Sequence, residues 1–187
     1  MREVTGLLLA AGRSRRFGSD KRWHRLADGT PMVLQAARRL AAACPRMVVV
    51  VRPEDEELVA LLSTEGLRCV ACVQAAAGMG HSLAAGVAAT ADGAAGGWLV
   101  ALADMPFIAP ASYTAVLSAL AQGACIARPT FEGQMGHPVG FAADYRAALL
   151  ALRGDEGGKA IISGDPAALV TCAVNDPGVL NDVDQPG

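Results

Sequence analysis

The residues with the most chemistry in them lie close together near the start of the chain. Arg13, Arg15, Arg16, Lys21, Arg22 and Arg25 place six of the 16 basic residues within thirteen positions, opposed only by Asp20. A local excess of five positive charges suits a phosphate-rich small ligand, although a solvated basic loop would carry the same residues. Gly12 and Gly18 sit among them, and glycine lets backbone N–H groups come close to a phosphate. The spacing excludes two other phosphate loops. No Gly-Lys-Ser/Thr closes the segment as in a Walker A loop, and the G-x-G-x-x-G of dinucleotide folds is missing. A long loop with several cations points to a triphosphate gripped by side chains as well as backbone. The five cysteines carry less chemistry. Cys69 and Cys72 form a C-x-x-C on an expected strand, where positions three apart face opposite sides. No second pair completes a zinc site, so small buried thiols are expected.

The elements that must position the basic loop alternate in type along the chain. Short apolar runs read as strands at 4–11, 47–51, 67–73, 98–103, 124–127, 139–142 and 168–174. Helical spacing or helix-start signals mark 31–43, 54–63, 81–91, 111–122, 145–153 and 159–163. This alternation predicts an α/β fold, a three-layer, Rossmann-like, doubly wound sheet that is mostly parallel, in one domain spanning 1–187. Ligands of such sheets bind beyond the carboxyl ends of the strands. Three segments fall there: the basic loop from Gly12, residues 74–82, and Asp104 before Met105-Pro106.

Composition narrows the class. Hydrophobic residues are 52% and charged ones 18% of the 187 residues, which suits a folded globule. Polar residues or glycine interrupt every apolar stretch before it could span a bilayer, and no basic n-region with a cleavage site is visible, so a cytoplasmic protein is expected. A net charge of -2 predicts no general affinity for nucleic acid.

Four ordered segments carry a resemblance. Leu9-Ala10-Ala11-Gly12-x-Ser14-x-Arg16-Phe17-Gly18-x-x-Lys21 resembles the signature loop of the MobA-like nucleotidyltransferases, which share the nucleotide-diphospho-sugar transferase fold. Gly78-Met79-Gly80-His81-Ser82-Leu83 is similar to the family's GMxxSL, Ala103-Asp104-Met105-Pro106 to its GDMP, and Gly136-His137-Pro138-Val139 to its GHPV. Within the family the chain looks most like the molybdenum cofactor cytidylyltransferases. The resemblance implies that Lys21 and Arg16 neutralise a triphosphate while Gly12 and Gly18 let the loop wrap it. It implies that Asp104 is a hard oxygen ligand for Mg²⁺, where a turn residue capping the next helix is the alternative. Near the end, Asn181-Asp182-Val183-Asp184-Gln185-Pro186 is similar to the family's DxDTPED. Asp182 or Asp184 is then a second metal ligand; a solvated acidic tail is the other reading. Gln185 replaces the family's threonine there.

The same resemblance places Gly78, Met79 and Ser82 near the nucleotide base, with Ser82 also able to cap the following helix. His137 either reaches the acceptor or orders a loop. Gly154-Asp155-Glu156-Gly157-Gly158-Lys159 resembles the family's GDxGAR and is expected near the acceptor. Leu9-Ala10-Ala11-Gly12, rather than Leu-Ala-Gly-Gly, leans towards CTP over GTP. The implied reaction is attack of a phosphorylated acceptor, molybdopterin carrying molybdenum, on the α-phosphorus of the triphosphate. Pyrophosphate leaves, and the product passes to a recipient molybdoenzyme. Rival readings are a guanylyltransferase of the same cofactor, a sugar- or alcohol-phosphate nucleotidyltransferase, and a non-catalytic chaperone of the cofactor.

Overall fold

The first strand, β1 (Val4–Leu9), shows why this sheet is covered on both sides. Its run of apolar residues is buried almost without a break, Leu8 and Ala10 joining one core cluster and Leu7, Leu9 and Ala11 the other. A strand that buries both faces must lie mid-sheet. It does, hydrogen-bonding in parallel to β2 (Met47–Val51) on one side and β4 (Gly97–Leu102) on the other. A computed structural model of the chain describes residues 3–12, 20–94 and 96–183.

Beyond β2 lies β3 (Arg68–Ala71), again parallel. Beyond β4 lies β7 (Val139–Phe141), antiparallel to it and to β5 (Ile126–Phe131). The sheet runs β3-β2-β1-β4-β7-β5-β6, where β6 (Gln134–Met135) forms a hairpin with β5. On the far side of β5, β8 (Leu169–Ala173) adds in parallel. Helices α1 (Met32–Ala43), α2 (Glu56–Thr64) and α4 (Pro110–Ala121) cover one face through Leu34, Leu40, Leu58, Leu62, Tyr113 and Val116. Helices α3 (Met79–Thr90), α5 (Arg146–Ala151) and α6 (Gly158–Gly164) cover the other through Leu83, Val87, Leu149 and Ile161. This is the expected three-layer, mostly parallel α/β architecture. Each fully buried leucine contributes about 1.5–3 kcal/mol, so the two clusters hold the strand ends firmly.

Within the sheet, β5 and β6 differ most from the sequence reading. The strand expected at 124–127 runs instead over Ile126–Phe131, through Pro129. Pro129 is tolerated because the partner of β5 changes there from β7 to β6, where its missing N–H leaves no gap in the ladder. Its carbonyl still accepts from Gly136 N–H at 2.9 Å. The short β6 lacked any apolar run to announce it. Its turn is Glu132-Gly133, both at positive φ (48° and 77°), the backbone that a two-residue hairpin turn demands.

Candidate functional site

A cavity of about 410 Å³ opens where the carboxyl ends of β1 and β4 meet the start of α3. Its walls include Leu9, Ala10, Ala11 and Gly12 after β1, Leu102, Ala103 and Asp104 after β4, and Gly78, Met79 and Ser82 at the start of α3. The three segments singled out by strand order therefore converge on one crevice. Arg16, Ser14 and Gly18 of the signature loop, and Asp184 at the other end, lie outside the described residues.

Across the crevice, Lys21 Nζ donates to Asp104 Oδ2 at 2.7 Å. Both side chains are partly open to solvent, at 17% and 25% exposure, so the pair can exchange partners with a ligand. Asp104 sits beyond the last residue of β4, and its backbone is pinned. Its carbonyl accepts from Val183 N–H at 2.9 Å, which brings Asp182 alongside the strand end. Asp182 is exposed. Among the described residues no group of three or more His, Cys, Asp or Glu converges as a metal cage. A hard divalent cation such as Mg²⁺ needs only one or two carboxylates when phosphate oxygens complete its shell, and Asp104 with Asp182 beside it fits that donor set.

Arg22, next to Lys21, plays a different part from the one its charge suggests. It is 4% exposed and turns inward. Nη1 donates to the Ala10 carbonyl at 2.7 Å, Nη2 to Asp55 Oδ1 at 2.6 Å, and Nε to Asp20 Oδ1 at 2.8 Å. Arg52 adds a contact at 3.3 Å to Asp20, and its backbone N–H donates to Asp55 at 2.8 Å. Burial alone would raise the Asp20 and Asp55 carboxyls; hydrogen bonds and charge from Arg22, with help from Arg52, hold both below the usual carboxylate range instead. The local excess of charge is therefore smaller than the sequence count, because Arg22 is answered from within.

The opposite wall rests on a close backbone approach. Gly78 has φ 125°, and a Cβ there would lie 2.3 Å from the Gly154 carbonyl. Gly80 N–H donates to that same carbonyl at 2.8 Å. Only glycine fits at 78. One expectation for Ser82 is corrected here: α3 starts at Met79 rather than His81, so Ser82 lies inside the helix, buried, and caps nothing. It still lines the cavity. The segment from Gly154 to Lys159, expected near an acceptor, packs on Gly78 and Gly80 and puts Asp155 into the cavity wall. Sequence reasoning missed the inward role of Arg22, which nothing in its spacing marks.

His137 stands outside the cavity lining and is joined to Pro138 by a cis peptide. Its N–H donates to the Val179 carbonyl at 2.9 Å. Burial and the nearby Arg128 guanidinium push its imidazole down to about 4, against the pull of Asp104. It is neutral at pH 7 and lies within electrostatic reach of both. The two cysteines of the C-x-x-C face opposite sides as expected: Cys72 is buried in one core cluster, while Cys69 is only half-buried against the other, and both are free thiols.

Comparisons with known proteins agree with this arrangement. A family model described as the MobA-like NTP transferase domain matches residues 6–170. The purine catabolism protein PucB of Bacillus subtilis (strain 168) is 27% identical over 191 residues, covering 98% of this chain and 92% of that protein. A probable molybdenum cofactor guanylyltransferase of Chloroflexus aggregans is 33% identical over 139 residues, 72% of this chain and 60% of that one. Among solved structures, Rv0371c of Mycobacterium tuberculosis H37Rv superimposes with a TM-score of 0.81 at 24% identity, over 98% of this chain and 94% of that one; the same protein has also been solved in complex with manganese. No helix among the described residues is long and apolar enough to cross a membrane.

Proposed function

Because the chain belongs to the MobA-like NTP transferase family and is a nucleotidyltransferase, we propose that it moves a cytidylyl group from CTP to the phosphate of molybdopterin carrying molybdenum. The single observation that carries this reading is the crevice pair, Lys21 Nζ against Asp104 Oδ2 at 2.7 Å, at the mouth of the 410 Å³ cavity. An ammonium and a carboxylate held together but open to solvent are what a metal–triphosphate complex can separate. Lys21 then turns to the phosphates, with Arg16 of the signature loop, while Gly12 and Gly18 let backbone N–H groups close on them. Asp104, with Asp182 or Asp184, would hold a divalent cation. Such a cation supplies charge neutralisation on the reacting phosphates.

The acceptor's phosphate oxygen forms a bond to the α-phosphorus as the bond to the bridging β-phosphate oxygen breaks. The electron pair leaves with pyrophosphate. The nucleophile is already an anion at neutral pH, so no general base is needed. What remains is positioning and electrostatics. Leu9, Ala10, Ala11, Gly78, Met79 and Ser82 form the apolar and hydroxyl walls around the nucleoside. Ala10-Ala11-Gly12 is the feature that favours cytidine. The product would pass to a recipient molybdoenzyme.

A guanylyl donor is the second reading. It is favoured by Asp155 on the cavity wall, since one carboxylate can accept two hydrogen bonds from a guanine edge, and by the guanylyltransferase name of the Chloroflexus relative. The test incubates the protein with Mg²⁺, the molybdenum cofactor and each of the four triphosphates in turn, and measures pyrophosphate and dinucleotide product. CTP is expected to be the preferred donor, with turnover lost in Asp104→Ala. Preference for GTP would replace cytidylyl by guanylyl. Pterin binding without turnover under any triphosphate would favour a chaperone.

A further inference from the structure

Beyond His137, on the side away from the cavity, Arg128 carries a charge that the described residues leave unanswered. It lies on β5 two residues after Ile126, so its side chain shares the face of Ile126, the face covered by α3, α5 and α6 on which the crevice opens. Nε donates to the Gly136 carbonyl at 3.0 Å. That carbonyl is itself fixed: Gly136 is buried, a Cβ there would lie 2.3 Å from the Val179 carbonyl oxygen, and its N–H donates to Pro129 at 2.9 Å. The guanidinium is thus anchored by one nitrogen. Its two Nη groups make no hydrogen bond among the described residues, and no carboxylate there pairs with it.

A half-buried guanidinium is costly unless an anion meets it, and burial disfavours its charged form. The planar fork matches phosphate oxygens two at a time. Its position says which phosphate. Arg128 does not line the cavity, whereas Lys21 and Asp104 do, and the ring of His137 lies within electrostatic reach of both Asp104 and Arg128. Sheet order agrees: β7, which His137 precedes, lies between β4, which leads to Asp104, and β5, which carries Arg128.

We propose that Arg128, with the ring of His137 beside it, forms the subsite that binds the acceptor's phosphate monoester. Two of its oxygens meet the guanidinium fork and the third faces the α-phosphorus. This rests on the nucleotidyl-transfer reading above and adds to it the residue that selects a phosphorylated acceptor. Arg128 gives up no proton. The acceptor oxygen forms the new bond to phosphorus, and pyrophosphate carries away the electron pair.

The test saturates the protein with Mg²⁺ and a non-hydrolysable triphosphate, which fills the cavity, and then titrates inorganic phosphate by calorimetry. Phosphate is expected to bind the loaded wild type and to bind Arg128→Met about tenfold or more weakly, the size of a lost charged hydrogen bond. Nucleotide affinity should stay within about twofold. Arg128→Lys, which keeps charge and stem but loses the fork, serves if the methionine variant does not fold, and a several-fold loss is expected. Phosphate binding that is absent from the loaded wild type, or equal in both variants and wild type, overturns the subsite. So does a parallel loss of nucleotide affinity, which would place Arg128 on the triphosphate. If wild type binds no nucleotide at all, the functional reading itself falls.

Discussion

Lys21 and Arg22 are neighbours in the chain and carry the same charge, yet the fold uses them in opposite ways. Lys21 meets Asp104 in a pair that solvent reaches. Arg22 is buried against two carboxylates and a backbone carbonyl, with Arg52 bracing the same acids. The first is an arrangement a ligand can take apart. The second is closed, and joins the base of the signature loop to the end of β1 and the start of α2. Burial, not charge, separates a ligand-binding cation from a structural one.

Breaking the closed cluster should have the largest effect on folding. Arg22→Met leaves Asp20 and Asp55 without their main partner, and a broken buried pair costs about 3–5 kcal/mol, a large part of an ordinary domain's stability. Chemical denaturation should show this loss. A variant as stable as wild type would mean that Arg22 is not the clamp. Breaking the open pair should instead spare the fold and remove the chemistry. For Asp104→Ala and Lys21→Ala, turnover should fall by about 10²–10³-fold, ~2.7–4 kcal/mol of transition-state stabilisation, while stability moves by about 1 kcal/mol or less. An equal loss of stability in both regions would erase the distinction.

Two smaller effects sharpen it through pH. Asp20 and Asp55 titrate below the usual carboxylate range. Their contribution is complete above the unfolded value of about 4 and is lost as pH falls through the folded values. Asp55→Asn should therefore unfold less steeply with acid than wild type. His137 behaves differently. Its folded value near 4 lies below the unfolded value of about 6.5, so the unfolded chain takes up a proton first and stability declines as pH drops from about 6.5 to 4. His137→Gln should flatten that decline in thermal melts taken across the range, and should not disturb the region above pH 7.

Much of this was legible in the sequence, for physical reasons that differ by residue. Continuous apolar runs such as Met47–Val51 announce a strand covered on both faces, and strand order alone brings Gly12, Gly78 and Asp104 to one crevice. Gln134–Met135 could not be read, because a two-residue hairpin strand has no periodicity. The start of α3 was placed two residues late because Gly78 and Gly80 look like loop residues, whereas close contact with the Gly154 carbonyl is what requires them. Arg22 was counted with the phosphate-facing cations because its partner Asp55 is 33 residues away. Arg128 is silent in the sequence because a lone arginine on a strand gives no signal until the fold shows that no acid among the described residues pairs with it.

The central claim is that the open pair is a metal–nucleotide site, and calorimetric titration of CTP and GTP with and without Mg²⁺ tests it most directly. Wild type should bind a triphosphate with metal-dependent affinity, Asp104→Ala should lose that metal dependence, and Lys21→Ala should weaken binding at every metal concentration. Triphosphate binding that is insensitive to both metal and Asp104, or no binding at all, would contradict the account.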